Sequence, residues 1–143
     1  MVGGGGSTTD QLNSYGRKYI ENFIGVFPRF PPPYRHYCYP MKFIVHSLPD
    51  EYTNGGHWIA VRVDKNKRAV VFDSRGKYPD LPLIKWLIDK TKSWSYNPYR
   101  YQMPFTLTVG HFCLFFLLYG TSDLKVNKNN EYVVKNSIQL ESS

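Results

Sequence analysis

A chain of 143 residues suits one domain, since domains cluster near ~100 to 150 residues and a chain of this size buries roughly two thirds of its surface. With 42% apolar and 17% aromatic residues it is too core-rich to be disordered throughout, and no apolar run approaches the ~18 to 20 residues of a membrane helix. The formal charge of +7 suits an acidic partner, nucleic acid or an acidic protein; solvated basic loops also account for it, because no Lys/Arg run is dense enough to form a motif.

The two cysteines, Cys38 and Cys113, make no disulfide framework and sit in no metal-spaced pair with histidine. A reducing, intracellular compartment is expected, and no signal peptide or membrane partner. Residues 1–7 have the Gly/Ser composition of a flexible linker, the remnant of a fusion, which leaves 8–143 as a single folded domain.

Asp10 is placed to cap a helix whose apolar positions Leu12, Tyr15, Tyr19, Ile20 and Phe23 follow helical spacing, with Gly25 ending it. Next come Pro28, Pro31, Pro32, Pro33 and Pro40, interleaved with Phe27, Phe30, Tyr34 and Tyr37. That composition forbids helix and central strand. It reads as an extended crossover packed on the domain by its rings, or else as a polyproline II recognition ligand.

Met41 to Leu48 reads as a buried strand, and His57 to Val63 as a second, with a turn at Pro49 to Gly56 between them. Asp64 to Lys67 forms a charged hairpin tip, and Ala69 to Asp73 a third, central strand. Asp80 caps a helix over Leu81 to Lys92 with Leu83, Ile84, Leu87 and Ile88 on one face and Pro82 tolerated in the first turn. A short strand is expected at Tyr99 to Gln102. From Gly110 to about Tyr119 the sequence is apolar on nearly every helical face, which predicts a buried central helix. Asn127 to Asn130 reads as a polar loop and Glu131 to Gln139 as a closing helix through Tyr132, Val133 and Ile138.

Three stretches carry chemistry: Gly55-Gly56-His57-Trp58, then Val71-Phe72-Asp73-Ser74-Arg75-Gly76, and Gln102-Met103-Pro104 leading to Val109-Gly110-His111-Phe112-Cys113. Adjacent antiparallel strands joined by a short hairpin bring His57 and Asp73 to one end of a sheet. Singly, each has a plainer reading. His-Trp at a strand start is ordinary core or rim, and Asp at a strand end is a turn former.

In this order the stretches resemble the adenovirus endopeptidase (adenain) family and, more distantly, the SUMO-deconjugating cysteine proteases. The resemblance covers roughly Leu12 to Gln139. It implies an α+β fold, a small central mixed sheet packed against a buried central helix with flanking helices. It also implies roles: His57 as general base, Asp73 as the acid that orients it, Gln102 as the oxyanion-hole glutamine, and the position directly before Gly110 as the nucleophile. In such enzymes the imidazole takes the thiol proton and the helix N-terminus favours the thiolate. Here that position is Val109, which has no nucleophilic atom.

Cys113 lies one helical turn further along, where family members carry a second cysteine, and is expected to be a buried hydrophobe. Trp58, Gly110 and His111 are groove candidates, Gly110 by letting a substrate backbone approach. His57 and His111 lack a third ligand for a metal, and no cofactor is implied. The expectation is therefore a pseudoprotease, a cysteine-protease-like domain binding a protein or peptide in its groove or by strand addition. The alternatives are a cysteine endopeptidase whose nucleophile was replaced, and a nucleic-acid binder using the basic surface, for which the family resemblance points to the nucleus.

Overall fold

The computed structural model describes residues 9–28, 31–34, 36–46, 57–97, 101–102, 109–119, 124–126 and 132–134, with the backbone alone at 101–102, 109, 124–126 and 132–134. Helix α1 (Thr9–Tyr19) carries Asp10 in its first turn and Arg17 and Lys18 in its last, the polarity that suits the helix dipole. Asn22, at a φ of 64°, turns the chain out of the helix into strand β1 (Phe23–Phe27). Strand β2 (Met41–His46) follows the proline-rich strap.

Strands β3 (Trp58–Val63) and β4 (Arg68–Phe72) form a hairpin. Asp64 Oδ1 holds the tip by accepting from the backbone N–H groups of Asn66 (2.8 Å) and Arg68 (2.9 Å). Helix α2 (Leu81–Lys90) starts at Asp80, whose side chain accepts from Leu83 N–H at 3.2 Å, as an N-cap should. The remaining elements are β5 (Ser93–Tyr96), β6 (Tyr101–Gln102), α3 (Val109–Tyr119), β7 (Leu124–Val126) and β8 (Tyr132–Val134).

The fold is α+β. A five-stranded mixed sheet runs β1-β2-β3-β4-β5, antiparallel in the middle and parallel at both edges; β6, β8 and β7 form a smaller sheet. Strand alternation gives the large sheet two apolar faces. Ile44, Ala60 and Phe72 pack against α3, Leu12 of α1 and Ile20 just after it. Phe43, Val45, Val61 and Val71 pack against Leu83, Trp86 and Leu87 of α2. The result is a helix layer on each side of the sheet.

Four expectations are corrected. The first helix does not run to Gly25: it ends at Tyr19, because Asn22 and Gly25 (φ of 145°) take positive-φ conformations, and Phe23 opens a parallel edge strand with a bulge at Gly25. The closing helix over Glu131 to Gln139 is overturned at its start, where Tyr132, Val133 and Val134, all strand-favouring types, pair with β7; Ile138 and Gln139 lie outside the described residues, as does the Asn127 to Asn130 loop. On α2 the core stripe is Leu83, Trp86 and Leu87, while Ile88 is 70% exposed, since at 100° per residue it falls on the solvent side. Strand β5 was not anticipated, because its Ser-Trp-Ser-Tyr alternation sits within a tyrosine-rich stretch that reads as loop.

Gly16 of α1 tests the packing of the first helix on the first strand. A Cβ there would overlap three ring atoms of Phe23, and this crowding outweighs the ~1 kcal/mol gain in helix propensity. Gly16→Ala should therefore lower stability by about 1–2 kcal/mol, read as a reduced urea midpoint; a raised midpoint would contradict the contact.

Candidate functional site

The site follows from how α3 lies on the sheet. Phe72 stacks with Phe116 at 4.9 Å and with Phe112 at 6.3 Å between ring centroids. The Arg62 guanidinium lies 5.3 Å over the Phe116 ring, and Lys42 Nζ donates to the Leu117 carbonyl at 3.0 Å. Lys42 and Arg62 are cross-strand partners at one end of the β2–β3 pair, and His46 and Trp58 are partners at the other. The C-terminal turns of α3 therefore cover the Lys42–Arg62 end, and its first turn lies toward His46, Trp58 and the end of β4. Two basic side chains counted in the net charge are used internally, at the negative end of a helix dipole. Burial first, then the charge of Arg62, lowers the Lys42 pKa, with Glu21 opposing.

At the α3 N-terminal end stand His57, just before β3, and Asp73, just after β4. Both are buried, and His57 Nε2 lies 2.8 Å from Asp73 Oδ1. The distance is that of a hydrogen bond, and the alignment is poor.

Asp73 is also the turn former of the plainer reading. Its Oδ1 accepts from the Arg75 N–H at 2.8 Å, an Asx turn, and Gly76 N–H, at a φ of 71°, closes the turn onto the Asp73 carbonyl at 2.8 Å. The Arg75 side chain adds contacts of 3.4 Å to Oδ1 and 3.3 Å to Oδ2. Burial opposes ionisation of Asp73. The contact with His57 and the Arg75 hydrogen bonds outweigh it, and the carboxyl is held below its ordinary range.

Arg75, His46 and Ser74 were missed as site residues. Arg75 stands in the quoted motif, but only the folded turn shows that its guanidinium shares the Asp73 carboxylate. His46 packs its ring 4.8 Å from that of Trp58; burial, then the charge of His57, lowers its pKa. Its register opposite Trp58 could not be counted through the long intervening turn. Ser74 is buried, and its Oγ has no partner among the described residues, which no sequence signal indicates.

Val109 opens α3, and its side chain, like that of Gln102 in β6, lies outside the described residues. Gly110 is buried, and a Cβ there would meet Leu12 Cδ2 at 2.7 Å; close packing of α1 on α3 is a second reason for glycine. His111 is half-buried, and burial lowers its pKa.

The thiols are placed elsewhere. Cys38 is exposed on the strap, near the Met41 end of β2, and the five steps from Met41 to His46 span about 17 Å. Cys113 has no solvent exposure; burial, then the field of Asp73, pushes its thiol pKa well up. Among the described residues no three His, Cys, Asp or Glu side chains are grouped to hold a metal, and no helix is long and apolar enough to cross a membrane.

No family model matches the chain and no curated protein matches it. Among solved structures, the crystal structure of the ASFV pS273R protease is similar, with 23% identity and a TM-score of 0.40 over 57% of this chain. The chain spans 33% of that protease.

The buried carboxylate yields a pH dependence. Because the folded-state pKa of Asp73 is depressed, its stabilisation is present above the ordinary aspartate range and is lost as pH falls through the folded value. Asp73→Asn should cost roughly 3 kcal/mol near neutral pH, where it removes the negative charge that faces His57 and Arg75 and replaces one carboxylate oxygen with an N–H donor, and the difference from the unmodified chain should shrink in acid. Equal urea midpoints for the two proteins at neutral pH would show that the contacts contribute nothing.

Proposed function

We propose that this chain is a cysteine-protease-like domain that does not hydrolyse peptides and serves as a protein- or peptide-binding module. One observation carries the reading: the His57–Asp73 pair lies at the end of the sheet where α3 begins, and that helix begins at Val109. A helix N-terminus beside an imidazole is where a thiolate would be stabilised. The position offers a valine.

Neither thiol takes its place. Cys113 lies one turn in, enclosed by Phe112, Phe116 and the sheet, with its thiolate disfavoured by burial and by Asp73. Cys38 is at the far end of β2. Without a nucleophile the pair has no proton to take, and acyl-enzyme formation stops before its first step. The retained His57–Asp73 contact also favours a second reading, an endopeptidase whose nucleophile was replaced while the scaffold stayed intact. In both readings the surface beside α3 remains a place for an extended peptide.

Val109→Cys tests the assignment. The new thiol, at the helix terminus on the end of the sheet that holds His57, should react with iodoacetamide about tenfold faster than Cys38 at neutral pH, and the unmodified chain should leave peptide substrates intact. A thiol at 109 no more reactive than Cys38 would remove the basis for the site. Hydrolysis by the unmodified chain that disappears in Cys113→Ala would overturn the claim of inactivity.

A further inference from the structure

The domain is polarised in charge along its strands. At the end away from His57 and Asp73, β1, β2, β4 and β5 begin, β3 finishes, and α1, α2 and α3 all terminate. That end gathers basic side chains from separate segments. Arg17 and Lys18 come from the last turn of α1, and Lys42 from β2. The β3–β4 hairpin adds Arg62, Lys65, Lys67 and Arg68, and the exit of α2 adds Lys90 and Lys92. Among the described residues the acids there are Glu21, Asp64 and Asp89. At the opposite end Asp10, Asp73 and Asp80 stand with Arg75 and Lys77. We infer that the basic end is a docking face for an anionic lipid surface, on which the domain lies with its His57–Asp73 end turned to solution. This face is distinct from the proposed peptide site, and the inference stands without that reading.

The cations divide into those held by the fold and those left outside it. Arg17 donates to the Ile24 carbonyl at 3.3 Å, Arg62 lies 5.3 Å over the Phe116 ring, and Arg68 pairs with Asp64 at 3.0 Å. Lys42 is held by the Leu117 carbonyl and Lys90 by Asp89. Lys18, Lys65, Lys67 and Lys92 are exposed and form no ion pair among the described residues.

That division favours a lipid surface over nucleic acid. Phosphates of a nucleic acid are gripped at close range by arginine forks, backbone N–H groups and helix N-termini. Here the described arginines are engaged and the helix ends are carbonyl ends. A lysine ammonium on its flexible stem acts instead as a point charge, felt over a Debye length of ~8–10 Å, which is how basic clusters are drawn to an anionic leaflet. The layout agrees. The free lysines come from α1 on one side of the sheet, from the hairpin, and from the exit of α2 on the other side. They cover an area, whereas a nucleic-acid groove follows the track of a backbone. Tyr19, 52% exposed at the same end with the Lys18 ammonium 5.2 Å over its ring, is a side chain of the kind that settles at headgroup level. The expectation of no membrane partner rested on the lack of an apolar span, which attachment of this kind does not need.

Sedimentation of the full chain with sucrose-loaded vesicles tests the inference. The protein should bind phosphatidylcholine vesicles containing about 30% phosphatidylserine and not phosphatidylcholine alone. Each lysine near such a surface contributes about fivefold. The triple variant Lys65→Gln, Lys67→Gln, Lys92→Gln should therefore bind about a hundredfold more weakly with its near-UV circular dichroism unchanged, while Lys85→Gln, at an exposed site midway along α2, should bind as the unmodified chain does. A second measurement needs no variant. In bicelles of the same lipids carrying a headgroup nitroxide, the amide resonances of Lys65, Lys67 and Lys92 should broaden and those of His57 and Asp73 stay sharp. Equal binding to the two kinds of vesicle, a loss in Lys85→Gln as large as in the triple variant, or broadening centred on His57 would overturn the inference. So would displacement from the vesicles by an oligonucleotide at an equal concentration of negative charge, which would make nucleic acid the partner.

Discussion

The structure depends on how a helix with no polar face is held in one orientation on a sheet. Apolar packing gives α3 affinity for the sheet, with each buried phenylalanine contributing ~1.5–3 kcal/mol, but burial has no direction and would not say which end of the helix points where. Direction comes from Phe72 lying between Phe112 and Phe116 and from the two cations at one end. Lys42 meets the Leu117 carbonyl and Arg62 covers Phe116, so the negative end of the dipole has partners there and the positive end is left at His57 and Asp73.

That orientation decides what chemistry the other end can support. Asp73 serves two structures with one carboxylate, closing its own turn through the Arg75 N–H and holding His57 through Oδ1. The residue that forms the turn is thus also the one that contacts His57. The carboxylate is kept ionised beside the imidazole, while Cys38 stands exposed on the strap and Cys113 is buried within α3 with its thiolate disfavoured.

Much of this was legible in the sequence, for reasons that differ by element. Alternation in β3 and β4 and the short charged tip between them fixed a hairpin, and the hairpin brought His57 to Asp73. The all-apolar run after Val109 could only be a buried helix. Asp80 with Pro82 marked the start of α2. Illegible parts depended on distant partners. Phe23 continues the helical spacing of α1, and only pairing with β2 makes it a strand; the edge strand β5 exists because β4 offers it a ladder. Ile88 repeats the core spacing of Leu87 by one residue, yet 100° of rotation puts it in water. Arg75 and His46 joined the site through folding of a turn and register across a hairpin, neither of which local sequence encodes.

The central claim is that no reactive thiol stands at the end of the sheet where α3 meets His57 and Asp73. Native-state alkylation of the unmodified chain, with each cysteine followed by mass spectrometry, measures this directly. The account predicts that Cys38 is labelled readily and that Cys113 is labelled only after denaturation. Modification of Cys113 in the folded protein ahead of Cys38 would contradict it, because a thiol that reacts first must be both accessible and ionised.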